Sequence, residues 1–287
     1  MKGRYYQIVD TIQIAACFVA FFAEGIALFE FFTNRSNFNL YFLIGIVLFS
    51  FVLILLVARF WDLAIGRYKV YAKIFHQFNH TLRDETYRLQ KLKRENKITK
   101  DVLKLSLQKT GEEGVNLLQE LLSKITNKDI SVHIKHFPDG VKEGVYRTLC
   151  ISTHSNKDRY TIHDHPISEN TMMNRIVSGR GGNHFVSNDL KKTIKDYEDA
   201  TSEHFEISYQ NWEKWFNSII VVPIRIHSSL KDSDDDSYRY LGFICCDAKE
   251  KNAFRKSELI GHVDMIKAFA DGLYIYLDTI SDYTKIS

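Results

Sequence analysis

The hydrophobic residues of the N-terminal part are gathered into two long blocks. Residues Leu40 to Ala58 form a run of 19 without a charged side chain. At about 1.5 Å per residue, a helix of this length can cross a hydrocarbon core of about 30 Å. Residues Ile12 to Phe32 form a second apolar segment that contains Glu24 near its middle. The pattern predicts a hairpin of two transmembrane helices within residues 1–62, at about 12–32 and 40–60.

The flanking charges predict the orientation of this hairpin. Lys2 and Arg4 precede the first span, and Arg59 and three further basic residues follow the second. Because basic residues flanking a span stay on the cytoplasmic side, both termini are expected in the cytoplasm, with the chain in a bacterial inner (plasma) membrane as a multi-pass protein. Glu24 is the functional candidate within the membrane, since an ionised carboxylate there is costly unless paired or facing a cavity. The alternative is a protonated acid with a structural role.

Residues 63–116 have the pattern of a membrane-proximal helical linker. Apolar residues recur at alternating steps of four and three, as in a coiled coil, with Glu85 as the one charged member. A parallel homodimer or higher oligomer is one interpretation. The other is a single amphipathic helix on the membrane or packed against its own domain. The residues of this seam are Tyr71, Phe75, Phe78, Leu82, Glu85, Leu89 and Leu92.

Charge is distributed unevenly along the chain. Residues 66–104 contain 11 Lys and Arg against 4 Asp and Glu, a net charge of +7, whereas the whole chain carries +3. A basic segment beside a bilayer is expected to lie near anionic headgroups, so the lipid bilayer is a predicted partner. The acidic remainder of the chain lacks the basic patch of a nucleic-acid-binding domain, and no nucleic acid is expected as a partner.

The periodicity changes to that of strands from Asp129 onward. Residues 130–137, 145–153 and 159–163 alternate or are rich in β-branched side chains, which predicts antiparallel strands. A short helix over 170–178 and two strongly apolar strands follow, and an amphipathic helix from Ser257 to about Ile280 closes the segment. This order predicts an α+β domain with a central antiparallel sheet over residues 117–287. The two apolar strands are SIIVVPIRI and YLGFICCD, at Ser218–Ile226 and Tyr240–Asp247.

The closing elements carry a resemblance to a known family. The string FNSIIVVPIRI, a polar loop, YLGFICCDAKEKNAF and a final helix resemble the second half of GAF domains. The preceding IVSGRGGNHFVSNDL resembles their middle. The resemblance covers about Leu117 to Tyr283 and implies a GAF-like fold with flanking helices. Cys150 is followed by Ile151, whereas bilin-binding members have Cys followed by His, so no chromophore or other cofactor is predicted.

The resemblance also implies where a small molecule would bind. In GAF-like folds the ligand lies between the sheet and the segment that corresponds here to Asn170–Trp215. No metal-ligand spacing and no nucleophile signature is recognised in the sequence, so neither a metal site nor an enzyme is predicted. The candidate ligand-binding residues are Phe185, Asn188, Asp189, Trp212, Trp215 and Asn217.

These features favour a membrane-anchored sensor or effector. In this hypothesis a GAF-like domain binds a small ligand or a partner and signals to the transmembrane hairpin. The alternative is a membrane scaffold whose GAF-like domain binds no ligand and docks a partner protein. An apolar pocket with a few polar groups would favour the first hypothesis, and a filled core with an exposed apolar patch the second.

Overall fold

The computed structural model of the chain describes residues 25, 40–138, 144–155, 164–208, 211–227, 238–254 and 258–284. The chain divides into two compact units, Met1–Gly66 and Arg67–Ser287. Five helices and six strands are assigned in the described residues, together with 3-10 helices at Ile167–Glu169 and Trp212–Lys214. The helices are α1 Leu40–Arg94, α2 Lys100–Thr126, α3 Thr171–Val177, α4 Leu190–Thr201 and α5 Leu259–Thr284. The strands are β1 Ser131–His136, β2 Val145–Ile151, β3 His165–Pro166, β4 Phe185–Ser187, β5 Ser218–His227 and β6 Tyr238–Ala248.

The strands form one antiparallel sheet in the order β3-β2-β1-β6-β5-β4. The apolar strands β5 and β6 pair along their whole length, with Ser218 opposite Ala248 and His227 opposite Tyr238. The predicted central antiparallel sheet is therefore confirmed. The predicted strand at 159–163 lies outside the described residues, and the short β3 pairs with β2 on the side away from β1.

Helices cover both faces of the sheet, which gives the second unit two hydrophobic clusters. The first lies beneath α1, α2 and α5 and includes Val132, Ile220 and Ile244 from the strands. The second lies beneath α3 and α4 and includes Tyr146 and Phe243. Because successive strand residues point to opposite faces, β5 and β6 each contribute side chains to both clusters. Both faces of the central strands are therefore largely buried.

The apolar seam of α1 packs within the chain. Phe78 and Leu89 are almost completely buried, and the Phe78 ring stacks on Phe269 of α5 at 4.3 Å between centroids. The same Phe78 ring lies against Gly114 of α2 and Gly272 of α5, where a Cβ atom would come within 3.1 Å and 3.0 Å of it. The structure corresponds to the second interpretation of this segment, an amphipathic helix packed on its own domain. The predicted coiled coil would need the face that α2 and α5 already cover.

The predicted membrane spans fall in the first unit. The span at 12–32, with Glu24, lies outside the described residues except for Gly25, and the span at 40–60 falls within α1. A search of the described residues finds no helix with the length and apolar character needed to cross a membrane. The described apolar side chains of α1 from Phe49 to Val57 are largely exposed, with Phe49 at 68% and Leu56 at 62%.

Candidate functional site

Three ionisable side chains lie buried on the face of the sheet that α3 and α4 cover. His133 and Lys135 of β1 are 1% and 2% exposed, and Asp247 of β6 is 2% exposed. They alternate with Val132, Ile134 and Cys246, which belong to the opposite cluster beneath α1, α2 and α5. We call His133, Lys135 and Asp247 the buried charged group.

The contacts within this group cross three adjacent strands. The His133 Nε2 atom lies 3.4 Å from the Asp247 Oδ2 atom. Lys135 donates a hydrogen bond from Nζ to Thr148 Oγ1 of β2 at 2.5 Å, and its Nζ lies 6.0 Å from the centre of the Tyr146 ring. Removing charges from water costs several kcal/mol per ion unless partners compensate. An arrangement of this kind is expected where a protein holds an internal ion network or binds a polar ligand.

Hydrogen bonds at Tyr146 connect the segments that cover this face to the sheet. Its hydroxyl lies 2.6 Å from Ser208 Oγ, and Asn170 Nδ2 donates to both oxygens at 3.4 Å. The Ser208 hydroxyl in turn donates to the carbonyl of Glu169 at 3.1 Å. The segment before α3 and the segment after α4 are thus held together over β2. This cover places Met172, Met173 and Phe205 in the second cluster.

The aromatic candidates from the sequence also lie on this side of the sheet. Phe185, Trp212 and Trp215 are partly buried and pack against the second cluster. The Phe185 ring lies 6.2 Å from Phe205, and the Trp212 ring lies 5.9 Å from Phe216. All three have apolar neighbours, and their role as ligand contacts stays a prediction.

Asn188 joins two loops at the end of the sheet. Its side chain donates to the carbonyl of Phe254 at 2.5 Å and accepts from the Phe254 N–H at 3.0 Å. The backbone carbonyl of Asn188 accepts hydrogen bonds from the N–H of Asn252 and from Ser218 Oγ. These bonds join the loop before α4 to the loop after β6.

Asp189 and Asn217 are structural neighbours of Asn188. Asp189 caps α4, because its Oδ1 accepts from the N–H of Lys192, and its Oδ2 pairs with Lys251 at 2.8 Å. Asn217 donates from Nδ2 to the carbonyl of Lys249, while its Oδ1 is buried and accepts no hydrogen bond within the described part of the chain. The structure thus gathers the three polar candidates into one loop cluster.

The cysteines described in the structure have the character of core residues. Cys150, Cys245 and Cys246 are buried free thiols. Burial is the main cause that raises the pKa of Cys150 and of Cys246, so both remain protonated at neutral pH. A protonated thiol is a poor nucleophile. These residues therefore contribute packing to the two clusters.

The sequence did not single out the buried charged group because its pattern resembles an ordinary half-exposed strand. In SVHIKH, polar residues alternate with apolar ones, which usually indicates that one face meets water. A usable signal lay in the neighbouring strand, where YLGFICCD is apolar at successive positions and therefore buried on both faces. A strand paired with it shares the same buried faces.

Comparison with known proteins finds similarity at the level of the fold. No protein-family model matches the sequence, and no curated protein matches it. The GAF domain of a phosphoenolpyruvate-protein phosphotransferase from Acinetobacter matches with 12% identity and a TM-score of 0.41, over 72% of this chain and 94% of that chain. The corresponding domain from Coxiella burnetii matches with 12% identity and a TM-score of 0.40, over 73% and 94%. A type II free methionine-R-sulfoxide reductase from Thermoplasma acidophilum matches with 14% identity and a TM-score of 0.38, over 61% and 96%.

The antiparallel sheet with helices on its two faces fits a GAF-like α+β domain. An α+β domain with a central antiparallel sheet is the fold class that the sequence predicts. Identities and TM-scores in this range carry no argument about ligand, activity or partner, and a fold by itself does not define a function.

Proposed function

We propose that the protein is a membrane-anchored sensor whose GAF-like domain binds a small ligand on the sheet face beneath α3 and α4. The observation that carries this proposal is the buried charged group on that face. His133, Lys135 and Asp247 together offer a cation, an anion and an imidazole inside a mostly apolar layer. A few polar groups within a mostly apolar lining are typical of small-molecule sites.

The proposed role is binding, not catalysis. The buried charged group contains no thiol or serine nucleophile, and the described cysteines are buried, with the pKa of Cys150 and of Cys246 raised by burial. Fixed charges in a site of low polarity distinguish ligands well, because a ligand that leaves one of them without a counterpart loses much of its affinity. The site suits recognition of a polar or charged metabolite.

The proposed anchor is the apolar hairpin predicted at about 12–32 and 40–60. Its support is the uncharged run from Leu40 to Ala58 and the exposure of the described apolar side chains between Phe49 and Val57. Water-exposed apolar side chains in such number are unusual on a soluble surface and indicate contact with a membrane or another protein. The anchor places the chain in an inner membrane with both termini in the cytoplasm.

The proposed signal passes from the ligand to α1. A ligand shifts an equilibrium only through different affinities for two states, so the ligand site and α1 must share packing. The sheet provides this shared packing, since β1 and β6 carry the buried charged group on one face and contact the cluster beneath α1 on the other. We expect ligand binding to change the packing of Phe78 and Leu89 on that cluster.

A search for a co-purified ligand tests this proposal. The wild-type chain, Lys135→Met and the control Lys124→Met are purified under native conditions, denatured, and their small-molecule extracts compared by mass spectrometry. Lys124 is exposed on α2, so its variant loses the same charge outside the site. We expect one compound in the wild type and in Lys124→Met but not in Lys135→Met. A compound retained equally by all three would contradict the proposed site.

A further inference from the structure

The outward face of α1 carries a basic stripe within the second unit. Its members lie four, three, four and three residues apart, so they follow one side of the helix. Four of them are exposed and His80 is half-buried. From Arg67 to Arg83 the sequence contains four Lys and Arg and no Asp or Glu. The basic stripe consists of Lys69, Lys73, His76, His80 and Arg83.

The opposite side of α1 packs against the core of the second unit. Ile74, Phe78 and Leu82 are buried in the first cluster, which directs the basic stripe away from the protein. Arg83 pairs with Asp84 at 2.7 Å, so its charge is partly neutralised. No ion pair of Lys69 or Lys73 is found among the described residues, and both are exposed. These two lysines present the most available positive charge of the stripe.

The stripe follows directly after the apolar part of the same helix. Trp61 is 45% exposed and Tyr68 is 71% exposed. Trp and Tyr concentrate at the headgroup level of membranes, where an apolar body and a polar tip are both accommodated. Basic residues next to such a boundary attract anionic lipids.

We propose that Lys69 and Lys73 bind the headgroups of anionic phospholipids. This inference rests on the membrane anchor of the proposed function. Lys69 and Lys73 are the first two lysines after the apolar run in the sequence. At about 1.5 Å per residue, Lys91 lies about 27 Å further along α1 than Lys73. Electrostatic attraction decays over about 10 Å at 0.1 M salt. The two lysines nearest the boundary therefore dominate the interaction, and basic residues further along α1 contribute little.

Vesicle binding of residues 67–287 tests the inference. This unit keeps Lys69, Lys73 and both hydrophobic clusters but none of the proposed spans. We measure its co-sedimentation with vesicles of phosphatidylcholine alone and of phosphatidylcholine mixed with phosphatidylglycerol. We expect binding only to the mixed vesicles, weakening as salt rises. The double variant Lys69→Gln/Lys73→Gln should lose about fivefold in affinity for each lysine removed.

The matched control is Lys91→Gln/Lys104→Gln, which removes the same charge from exposed positions further along the chain than Lys69 and Lys73. We expect it to change the affinity by less than about twofold, because Lys91 lies about 27 Å beyond Lys73 along α1, more than two screening lengths from the lysines that bind. Equal losses in both double variants, or no binding to phosphatidylglycerol, would overturn the inference. The anchor is tested separately, by alkaline extraction of the full chain from phosphatidylcholine vesicles. Release of the full chain by alkaline extraction would disprove the anchor. It would not change the vesicle binding measured for residues 67–287.

Discussion

Gly114 and Gly272 set how closely α1 approaches α2 and α5. At Gly272 an added Cβ would lie 3.0 Å from the Phe78 ring and 3.1 Å from Leu82. Such distances require the neighbours to move, and Phe78 cannot move easily because it is stacked on Phe269. Glycine at these positions is therefore explained by packing, although it weakens a helix elsewhere.

Replacing Gly272 by alanine should destabilise the domain relative to the same change at Gly261. Both glycines lie in α5, so the gain in helix propensity is shared, but nothing lies within 4 Å of a Cβ at Gly261. We expect Gly272→Ala to be less stable than Gly261→Ala by about 1–3 kcal/mol, the cost of overpacking a filled core. Denaturant unfolding of residues 67–287 measures the difference. Equal stabilities would show that α1 is not packed tightly on α5.

Individual site residues were harder to predict than the core. The ligand-binding role predicted for Asn188 and Asp189 stays a prediction, and in the structure their side chains join two loops and cap α4. Hydrogen bonds to distant backbone, such as that from Asn188 to Phe254, leave no local pattern in the sequence. The buried charged group was not predicted either. The burial of Lys135 depends on helices that lie far away along the chain, so it leaves no local pattern in the sequence.

A polar network at the element scale joins α1, α2 and α5. Ser106 of α2 bonds to the hydroxyl of Tyr276 at 2.7 Å and donates to the carboxylate of Glu85. Arg88 binds the same carboxylate in a bidentate pair. Glu85, the one charged member of the apolar seam, is thus satisfied by two helices. A polar residue at such a position specifies the register of a helix against its neighbours.

This network predicts how stability depends on pH. Burial opposes ionisation of Glu85, but the hydrogen bonds from Arg88 and Ser106 outweigh it, and the pKa of the carboxyl is lowered. A lowered pKa stabilises the fold at pH values above the ordinary carboxyl pKa. The contribution is lost as the pH falls through the folded value. At neutral pH, Glu85→Gln should cost about 1.5–3 kcal/mol.

The difference between wild type and Glu85→Gln should shrink as the solution is acidified, which unfolding at a series of pH values measures. The control Glu120→Gln removes an exposed carboxylate that pairs with Lys124 across one turn of α2. Such a pair contributes less than about 1 kcal/mol. A Glu85→Gln variant as stable as this control would show that the network does not hold the helices.

At this scale the strongly patterned elements were predictable. The predicted strands at 218–226 and 240–247 correspond to β5 and β6, and the predicted closing helix corresponds to α5, within a few residues at each end. Apolar content and turn residues define such elements locally. The packing of α1 was not predictable in the same way, because a seam of period 3.5 fits a second helix and the surface of a domain equally well. Only the positions of α2 and α5 decide between them.

At the scale of the whole molecule, the proposed function joins a GAF-like sensor domain to a membrane anchor. The second unit has a complete core, so it is expected to fold without the first. The domain predicted from the sequence at 117–287 also draws on Phe78, Leu89 and Leu103 for its core. A soluble fragment that begins at Leu117 would expose the face that these residues cover. Fragments for binding experiments should therefore begin at Arg67.

The most direct test of the central claim is thermal unfolding of residues 67–287 against nucleotides, cyclic nucleotides and small charged metabolites. A ligand that binds only the folded state at 100 times its Kd contributes about 2.7 kcal/mol, equivalent to about 5–10 °C in a domain of this size. We expect one chemical class to raise the unfolding temperature of the wild type by this amount but not that of Lys135→Met. If no class raises it, the domain is not a sensor of these compounds, and the docking scaffold becomes the better description.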